Sequence, residues 1–171
     1  MNKQVLILDS SMVCTWLGVP GMDVTGPKSD PWDQGRIQNL IDVKKTKGFI
    51  FILPIAALIE TGNHIAQTSN VKCANLLMEL LKQAINGDSP WGIFNEQSII
   101  WEPPNIERIV AEWPDSIKHG VSFGDFTIEL IAQFYMDRRF EVEILTSDQG
   151  LQDRARASSR LPKPRRSNYQ S

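Results

Sequence analysis

Two short apolar runs constrain the fold of this chain more than any other feature of its sequence. Residues 5–8 (Val-Leu-Ile-Leu) and 49–53 (Phe-Ile-Phe-Ile-Leu) contain no polar residue. Continuous apolar runs of this length are typical of strands buried on both faces, as in parallel sheets covered by helices. Two further strands are predicted, a short one at 98–101 and the last one at 142–145. The apolar spacing of the intervening segments predicts helices over 34–47, 55–67, 70–86, 105–113, 126–138 and 149–157.

The length of the chain and its apolar runs exclude several classes of protein. With 171 residues the chain has room for one ordinary domain. The longest apolar run, Phe49 to Ile59, is interrupted by Pro54 and falls short of the roughly 18 residues that a membrane-spanning helix needs. The N-terminus does not have the pattern of a signal peptide. Cys14 and Cys73 lack the spacing of a zinc site or a disulfide framework, so we expect a cytoplasmic protein with no membrane partner.

Charge is distributed unevenly along the chain. The formal net charge is −2, but six of the 18 basic residues and none of the 20 acidic ones lie from residue 154 onward. An acidic body with a basic tail favours nucleic-acid binding, although a solvated, frayed C-terminus would have the same composition. Residues 158–171 hold two prolines and are expected to be disordered when unbound. The candidate nucleic-acid-binding residues are Arg154, Arg156, Arg160, Lys163, Arg165 and Arg166.

Four acidic residues should meet at one edge of the predicted sheet. Asp9 follows the first strand directly, and Asp148 follows the last one after Thr146 and Ser147. Helices that feed or leave parallel strands begin at the carboxyl edge, which places Asp125 there and Glu60 within about 10 Å of it. Ligands bind at this edge in sheets of this kind.

Each of these acids also has a structural interpretation. Asp9, Asp125 and Asp148 are all placed where they could cap a helix N-terminus. Glu60 is harder to explain in that way, because its neighbours are apolar and no Lys or Arg lies between Gly48 and Lys72. A carboxylate cluster without a cation repels itself, and a hard divalent cation with oxygen ligands resolves that repulsion. Glu129, four residues after Asp125, could add a carboxylate or be a solvated helix position.

The segments that carry these acids resemble the PIN-domain nucleases. The matching motifs are Val5-Leu-Ile-Leu-Asp9-Ser-Ser, Ala57-Leu-Ile-Glu60-Thr-Gly-Asn, Phe123-Gly-Asp125 and Leu145-Thr-Ser-Asp148-Gln-Gly-Leu. Their order is that of the family, and the resemblance covers residues 3 to 157. The Pro/Gly-rich loop at 17–33, the segment 87–105 and the basic tail depart from the compact toxin members of the family.

The resemblance implies a three-layer α/β/α sandwich with a short, mostly parallel sheet in a nuclease domain at 1–157, followed by the tail at 158–171. It implies an endoribonuclease that uses Mg²⁺ or Mn²⁺ to hydrolyse RNA phosphodiester bonds. Asp9, Glu60, Asp125 and Asp148 would be both the metal ligands and the catalytic residues. The polar side chains of Asn63, Thr146 and Ser147 would orient these ligands by hydrogen bonding without binding the ion themselves.

Several functions remain open at the level of sequence. The chain could be the toxin of a toxin–antitoxin pair, inhibited by an antitoxin-like protein, or a related processing or defence enzyme, alone or as a homodimer. It could also be a non-catalytic PIN-fold module that binds nucleic acid or protein. An aspartate-nucleophile phosphatase is disfavoured because Ser11 stands where that chemistry wants a second acid. Neither GxGxxG nor GxxxxGK[ST] occurs, which argues against dinucleotide or nucleoside triphosphate binding.

Overall fold

A computed structural model describes residues 3–160 of the chain. The strands are β1 (Gln4–Leu8), β2 (Val24–Thr25), β3 (Trp32–Asp33), β4 (Ile50–Ile52) and β5 (Glu141–Leu145). The α-helices are α1 (Ser10–Leu17), α2 (Gln34–Thr46), α3 (Ile55–Thr68), α4 (Val71–Asn86), α5 (Pro103–Ser116), α6 (Phe123–Asp137) and α7 (Gln149–Arg160). Two 3₁₀ helices span Phe94–Trp101 and Ile117–His119. Among the described residues, no helix is both long and apolar enough to cross a membrane.

The central sheet has three parallel strands in the order β4-β1-β5. In the register of this sheet Leu6 lies between Phe51 on one side and Glu143 on the other. Because β1 is flanked by two strands, its apolar residues 5–8 are buried throughout. The sheet therefore confirms the parallel α/β arrangement that the apolar runs predict.

Helices cover both faces of this sheet. Leu6, Leu8 and Phe51 contribute to one apolar core, which also contains residues of α1 to α4. Val5, Ile7 and Ile52 contribute to a second core with residues of α5, α6 and α7. This alternation follows from the period of two along a strand, since successive side chains point to opposite faces. The architecture is mixed α/β, with a small parallel sheet between two sets of helices.

The predicted strand at 98–101 is wrong, because these residues belong to the first 3₁₀ helix. The free edge of β4 is instead covered by a segment nearer in sequence. The Phe51 amide donates to the Pro90 carbonyl at 2.8 Å, and the Gly92 amide donates to the Phe51 carbonyl at 2.8 Å. A Cβ at Gly92 would lie 2.7 Å from Ile52 Cδ1 and 3.0 Å from Ile50 Cγ2, so these side chains would have to move to admit any other residue.

The other predicted elements are confirmed, with shifts of a few residues at their ends. The helix predicted at 105–113 is longer, and the helix predicted at 149–157 continues to Arg160. The segment predicted as a loop at 18–33 contains a minimal antiparallel hairpin, in which Val24 pairs with Asp33 and Thr25 with Trp32. The tail predicted to be disordered begins at 158, but residues 158–160 belong to α7. Residues 161–171 lie outside the described residues.

Candidate metal and active site

The four acids reach the carboxyl edge of the sheet by three different structural routes. Asp9 and Asp148 follow the parallel strands β1 and β5, whose carboxyl ends meet at one edge. Asp125 lies in the first turn of α6, and Glu60 lies in the second turn of α3, the helix that follows β4. Asp9 is buried, Asp125 is half-buried, and Glu60 and Asp148 are exposed. The predicted placement at strand ends and helix starts is therefore what the structure has.

Asp9 is held by three hydrogen-bond donors. Its Oδ1 accepts from the Ser10 amide at 2.7 Å, and this bond caps the start of α1. Its Oδ2 accepts from the Ser11 hydroxyl at 2.9 Å and from the Thr146 hydroxyl at 2.7 Å. The capping interpretation of Asp9 is thus correct. Because Oδ2 already accepts two hydrogen bonds, the acceptor capacity that remains for a further ligand is on Oδ1.

Thr146 connects Asp9 to the loop that carries Asp148. Its hydroxyl is fully buried, donates to Asp9 and accepts from the Asp148 amide at 3.0 Å. Asp148 Oδ1 in turn accepts from the Leu151 amide at 3.1 Å in the first turn of α7. Ser147 is also tied into place: its amide donates to the Ser11 hydroxyl at 3.3 Å, and its own hydroxyl accepts from Thr25 at 2.7 Å. Thr146 and Ser147 thus hold the loop that carries Asp148, and their role in supporting a metal ion stays a prediction.

Asp125 is not the cap of its helix. Ser122 has that role, with its hydroxyl accepting from the Asp125 amide at 3.0 Å. The Asp125 carboxylate in turn interacts with the Ser122 side chain. Burial raises the pKa of Asp125, and the charges of Asp9 and Asp148 raise it further, while Ser122 and Arg154 act in the opposite direction. Asp9, Asp125 and Asp148 consequently share one negative electrostatic environment.

Glu60 lies on α3, which packs against α1. Burial raises the pKa of the Cys14 thiol in α1, and the charges of Glu60 and Asp9 raise it further. Glu60 and Asp9 therefore both act on the buried Cys14. Asn63 is exposed on the same helix as Glu60. Within residues 3–160, Asn63 has no hydrogen bond to any of the four acids, so its predicted supporting role stays a prediction.

The donor set suits a hard divalent cation, although the acids are not drawn tightly together. Carboxylate and hydroxyl oxygens are the ligands that Mg²⁺ and Mn²⁺ take. In the described part of the chain, no group of three or more His, Cys, Asp or Glu side chains is arranged to hold a metal ion. Mg²⁺ usually keeps several of its waters and needs only one or two carboxylates directly. A hydrated ion fits the arrangement better than a fully protein-coordinated one.

Arg154 and Glu129 also belong to this site. The Arg154 Nε donates to Glu129 Oε1, and Arg154 Nη2 lies 3.8 Å from Asp125 Oδ2. From sequence alone, Arg154 belongs with the basic tail, and Glu129 has no assigned role. The available signal was spacing: Glu129 lies one turn after Asp125, and Arg154 lies within the second turn of the helix that Asp148 begins. Of the other predicted nucleic-acid-binding residues, Lys163, Arg165 and Arg166 and the side chains of Arg156 and Arg160 lie outside the described residues.

No protein-family model, curated protein or solved structure matches this chain. The likeness to PIN-domain nucleases therefore rests on the four motifs and on the positions of their acids.

Proposed function

We propose that this protein is a Mg²⁺- or Mn²⁺-dependent endoribonuclease with a PIN-like fold. One observation carries the proposal: three acids that are distant in sequence share one electrostatic environment at the carboxyl edge of the parallel sheet, where the charges of Asp9 and Asp148 raise the pKa of Asp125. Such mutual repulsion is unfavourable in a structural cluster and is relieved when a cation binds. A carboxyl group with a raised pKa, at a point where acids converge from separate elements, is typical of functional sites.

Asp9, Asp125 and Asp148 would hold the ion, with Glu60 approaching from α3. When bound, the ion would lower the pKa of a coordinated water and polarise the scissile phosphate. Thr146 fixes the Asp9 carboxylate and the backbone of Asp148 at the same time. The Ser11 hydroxyl donates a hydrogen bond to Asp9 Oδ2 and accepts one from the Ser147 amide. These residues keep the two strand-end acids in one orientation, which reduces the reorganisation needed when the ion and the substrate bind.

The basic residues at the C-terminus are proposed to contact substrate phosphates. The body of the protein is acidic, so it would repel RNA outside the ion site, and the Lys and Arg residues from 156 onward supply the compensating charge. The toxin of a toxin–antitoxin pair, with a cytoplasmic inhibitory partner that covers the acids, or a related effector is the proposed biological context. The same acids would serve in either case.

The experiment that tests the proposal is cleavage of labelled single-stranded RNA and DNA by the purified protein with Mn²⁺, Mg²⁺ or a chelator. Asp125→Asn and Asp9→Asn are prepared in parallel, with Asp115→Asn, which changes an exposed acid on α5, as the matched control. We expect metal-dependent RNA cleavage that both site variants lose, by a factor of at least about 100, and that the control retains. Full cleavage by Asp125→Asn would contradict the proposal.

A non-catalytic module that binds nucleic acid or protein is the second candidate. It is favoured by the finding that no three acidic, His or Cys side chains among residues 3–160 are arranged to hold a metal ion. The two candidates differ in metal binding, which can be measured without a substrate. In thermal unfolding experiments, increasing Mn²⁺ should raise the Tm of this protein if it is a nuclease. The Tm should not change if the protein is a non-catalytic module.

A further inference from the structure

Arg154 is the one cation placed among the candidate metal ligands. Within the described part of the chain, it is the only Lys or Arg that forms an ion pair with any of the acids at this edge. Its partners are Glu129, through Nε, and Asp125, through Nη2 at 3.8 Å. Both partners project from α6, whereas Arg154 projects from α7. The ion pair therefore depends on the packing of these two helices against each other.

The guanidinium is confined on the side that faces Asp148. A Cβ added at Gly150 would lie 2.9 Å from Arg154 Nη1 and 3.0 Å from Asp148 Oδ1. The space beside Gly150 is therefore already filled by the guanidinium and by the Asp148 carboxylate. Arg154 thus reaches Glu129 and Asp125 on one side and the neighbourhood of Asp148 on the other.

This position is unsuited to binding a substrate phosphate. Nε is already bound to Glu129, and Nη2 is buried with no hydrogen-bond partner in the described part of the chain. The distance of 3.8 Å between Nη2 and Asp125 Oδ2 is too long for a hydrogen bond. Glu129 thus holds the positive charge close to Asp125 without occupying the lone pairs of its carboxylate. Those lone pairs stay available for an ion.

We propose that Arg154 is a positioning residue that takes the place of a second metal ion, so that each chain binds one divalent ion and not two. The inference rests on the proposed metal-dependent function. The guanidinium of Arg154 already supplies a positive charge beside Glu129 and Asp125. A divalent ion at the same place would be repelled by the guanidinium, and this repulsion is strong because the environment is half-buried. A single ion would use the remaining negative charge of Asp9, Asp125 and Asp148.

The test is the stoichiometry of Mn²⁺ binding to the full-length protein, measured by calorimetry and by electron paramagnetic resonance without substrate. We expect one ion for the wild type and two for Arg154→Gln, with spin coupling between the two Mn²⁺ ions in the variant. Arg154→Lys retains the positive charge and should still bind one Mn²⁺ ion per chain. Lys82→Gln, which removes an exposed positive charge on α4, is the matched control for net charge and should also stay at one.

The possible results separate this inference from the proposed function. Two ions in the wild type, or one ion in a folded Arg154→Gln, would overturn the role of Arg154 and leave the nuclease proposal standing. No Mn²⁺ binding by the wild type would overturn both. Circular dichroism in chelator establishes that each variant is folded. If Arg154→Gln does not fold, Arg154→Met, which keeps an apolar side chain over α6, replaces it with the same expected stoichiometry.

Discussion

At the scale of single residues, the structural roles in this site fall on the same side chains as the proposed functional roles. Asp9 caps α1 through the Ser10 amide and still presents a carboxylate at the sheet edge. Asp148 accepts from the first turn of α7 in the same way. In α6 the N-cap is Ser122, and Asp125 follows it in the first turn. A carboxylate bound by amides and hydroxyls is held in one orientation, and this suits a metal ligand as well as a helix cap.

Thr146→Val tests how strongly this arrangement depends on one hydroxyl. The substitution leaves Asp9 without one donor and the Asp148 amide without its acceptor, both at a fully buried position. We expect a loss of about 1–3 kcal/mol in the free energy of unfolding, together with weaker Mn²⁺ binding, measured by urea titration and calorimetry. Thr146→Ser keeps the hydroxyl and should lose less than half as much. Equal stability of Thr146→Val and the wild type would show that the hydroxyl is dispensable.

Asp125 should make the stability of the metal-free protein depend on pH. Its pKa is raised in the folded state, so the folded chain binds this proton more tightly than the unfolded chain does. The associated stability is present below the unfolded pKa of about 3.9 and is lost as the pH rises through the folded pKa. At pH 7 in chelator, Asp125→Asn should therefore have a higher Tm than the wild type.

The difference in Tm should shrink as the pH falls toward about 4, where the wild-type carboxyl is also protonated. Mn²⁺ at pH 7 should raise the Tm of the wild type and leave that of Asp125→Asn nearly unchanged. Asp115→Asn, on the exposed side of α5, should show neither effect. A lower Tm for Asp125→Asn than for the wild type at pH 7 in chelator would contradict the unfavourable ionisation assigned to Asp125.

At the scale of elements, the start of α3 depends on a side chain from a distant 3₁₀ helix. Pro54 precedes α3 and provides no side-chain cap. Gln97 instead donates from Nε2 to the Leu53 carbonyl at 2.8 Å and accepts at Oε1 from the Ile55 amide at 3.0 Å. The buried side-chain amide of Gln97 thus forms hydrogen bonds with a backbone carbonyl just after β4 and with the first backbone N–H of the helix that carries Glu60. The cap comes from Gln97, in the 3₁₀ helix that also contains the wrongly predicted strand 98–101.

Gln97→Leu should therefore destabilise the junction between β4 and α3. The substitution leaves one buried carbonyl and one amide without partners, and we expect a loss of at least about 2 kcal/mol. Chemical denaturation measures the loss, and hydrogen exchange should show the faster opening at the first turn of α3. Gln67→Leu, an exposed position on the same helix, should change stability by less than about 0.5 kcal/mol. Similar stabilities of the two variants would contradict the capping role.

At the scale of the whole molecule, charge is divided between an acidic body and a basic C-terminus. Five basic and no acidic residues lie from residue 156 onward, whereas the residues before Arg154 contain all 20 acidic ones. A nucleic acid approaching the acids would be repelled by the body and attracted by this segment.

Removing residues 161–171 should consequently weaken RNA binding and reduce its dependence on salt. The deletion removes three basic residues, Lys163, Arg165 and Arg166. Each contact with a phosphate of single-stranded nucleic acid contributes about 0.7 to the slope of log K against log salt, so the slope should fall by up to about 2. Binding of labelled RNA at several salt concentrations measures it. The full-length chain with these three residues changed to Gln should give the same slope, and an unchanged slope in both would contradict the role of the tail.

The sequence by itself determined the parallel α/β arrangement and the edge at which the acids lie. Both depend on local patterns: uninterrupted apolar residues at 5–8 mark a strand buried on both faces, and the residue after such a strand must emerge at its carboxyl end. The order of strands and helices then places Asp125 and Glu60 at the same edge. This information is present in short segments, because burial and chain direction are properties of single elements.

Only the tertiary structure decided which groups meet there. Residues 98–101 are not a strand because Pro90 and Gly92 already satisfy the edge of β4. Arg154 is part of the acid site because α6 and α7 pack together and bring it to Glu129, 25 residues away in sequence. These outcomes depend on competition between partners that are distant along the chain. Local patterns state what each residue can do, whereas hydrogen bonding and charge pairing depend on which of several available partners the packing brings within reach.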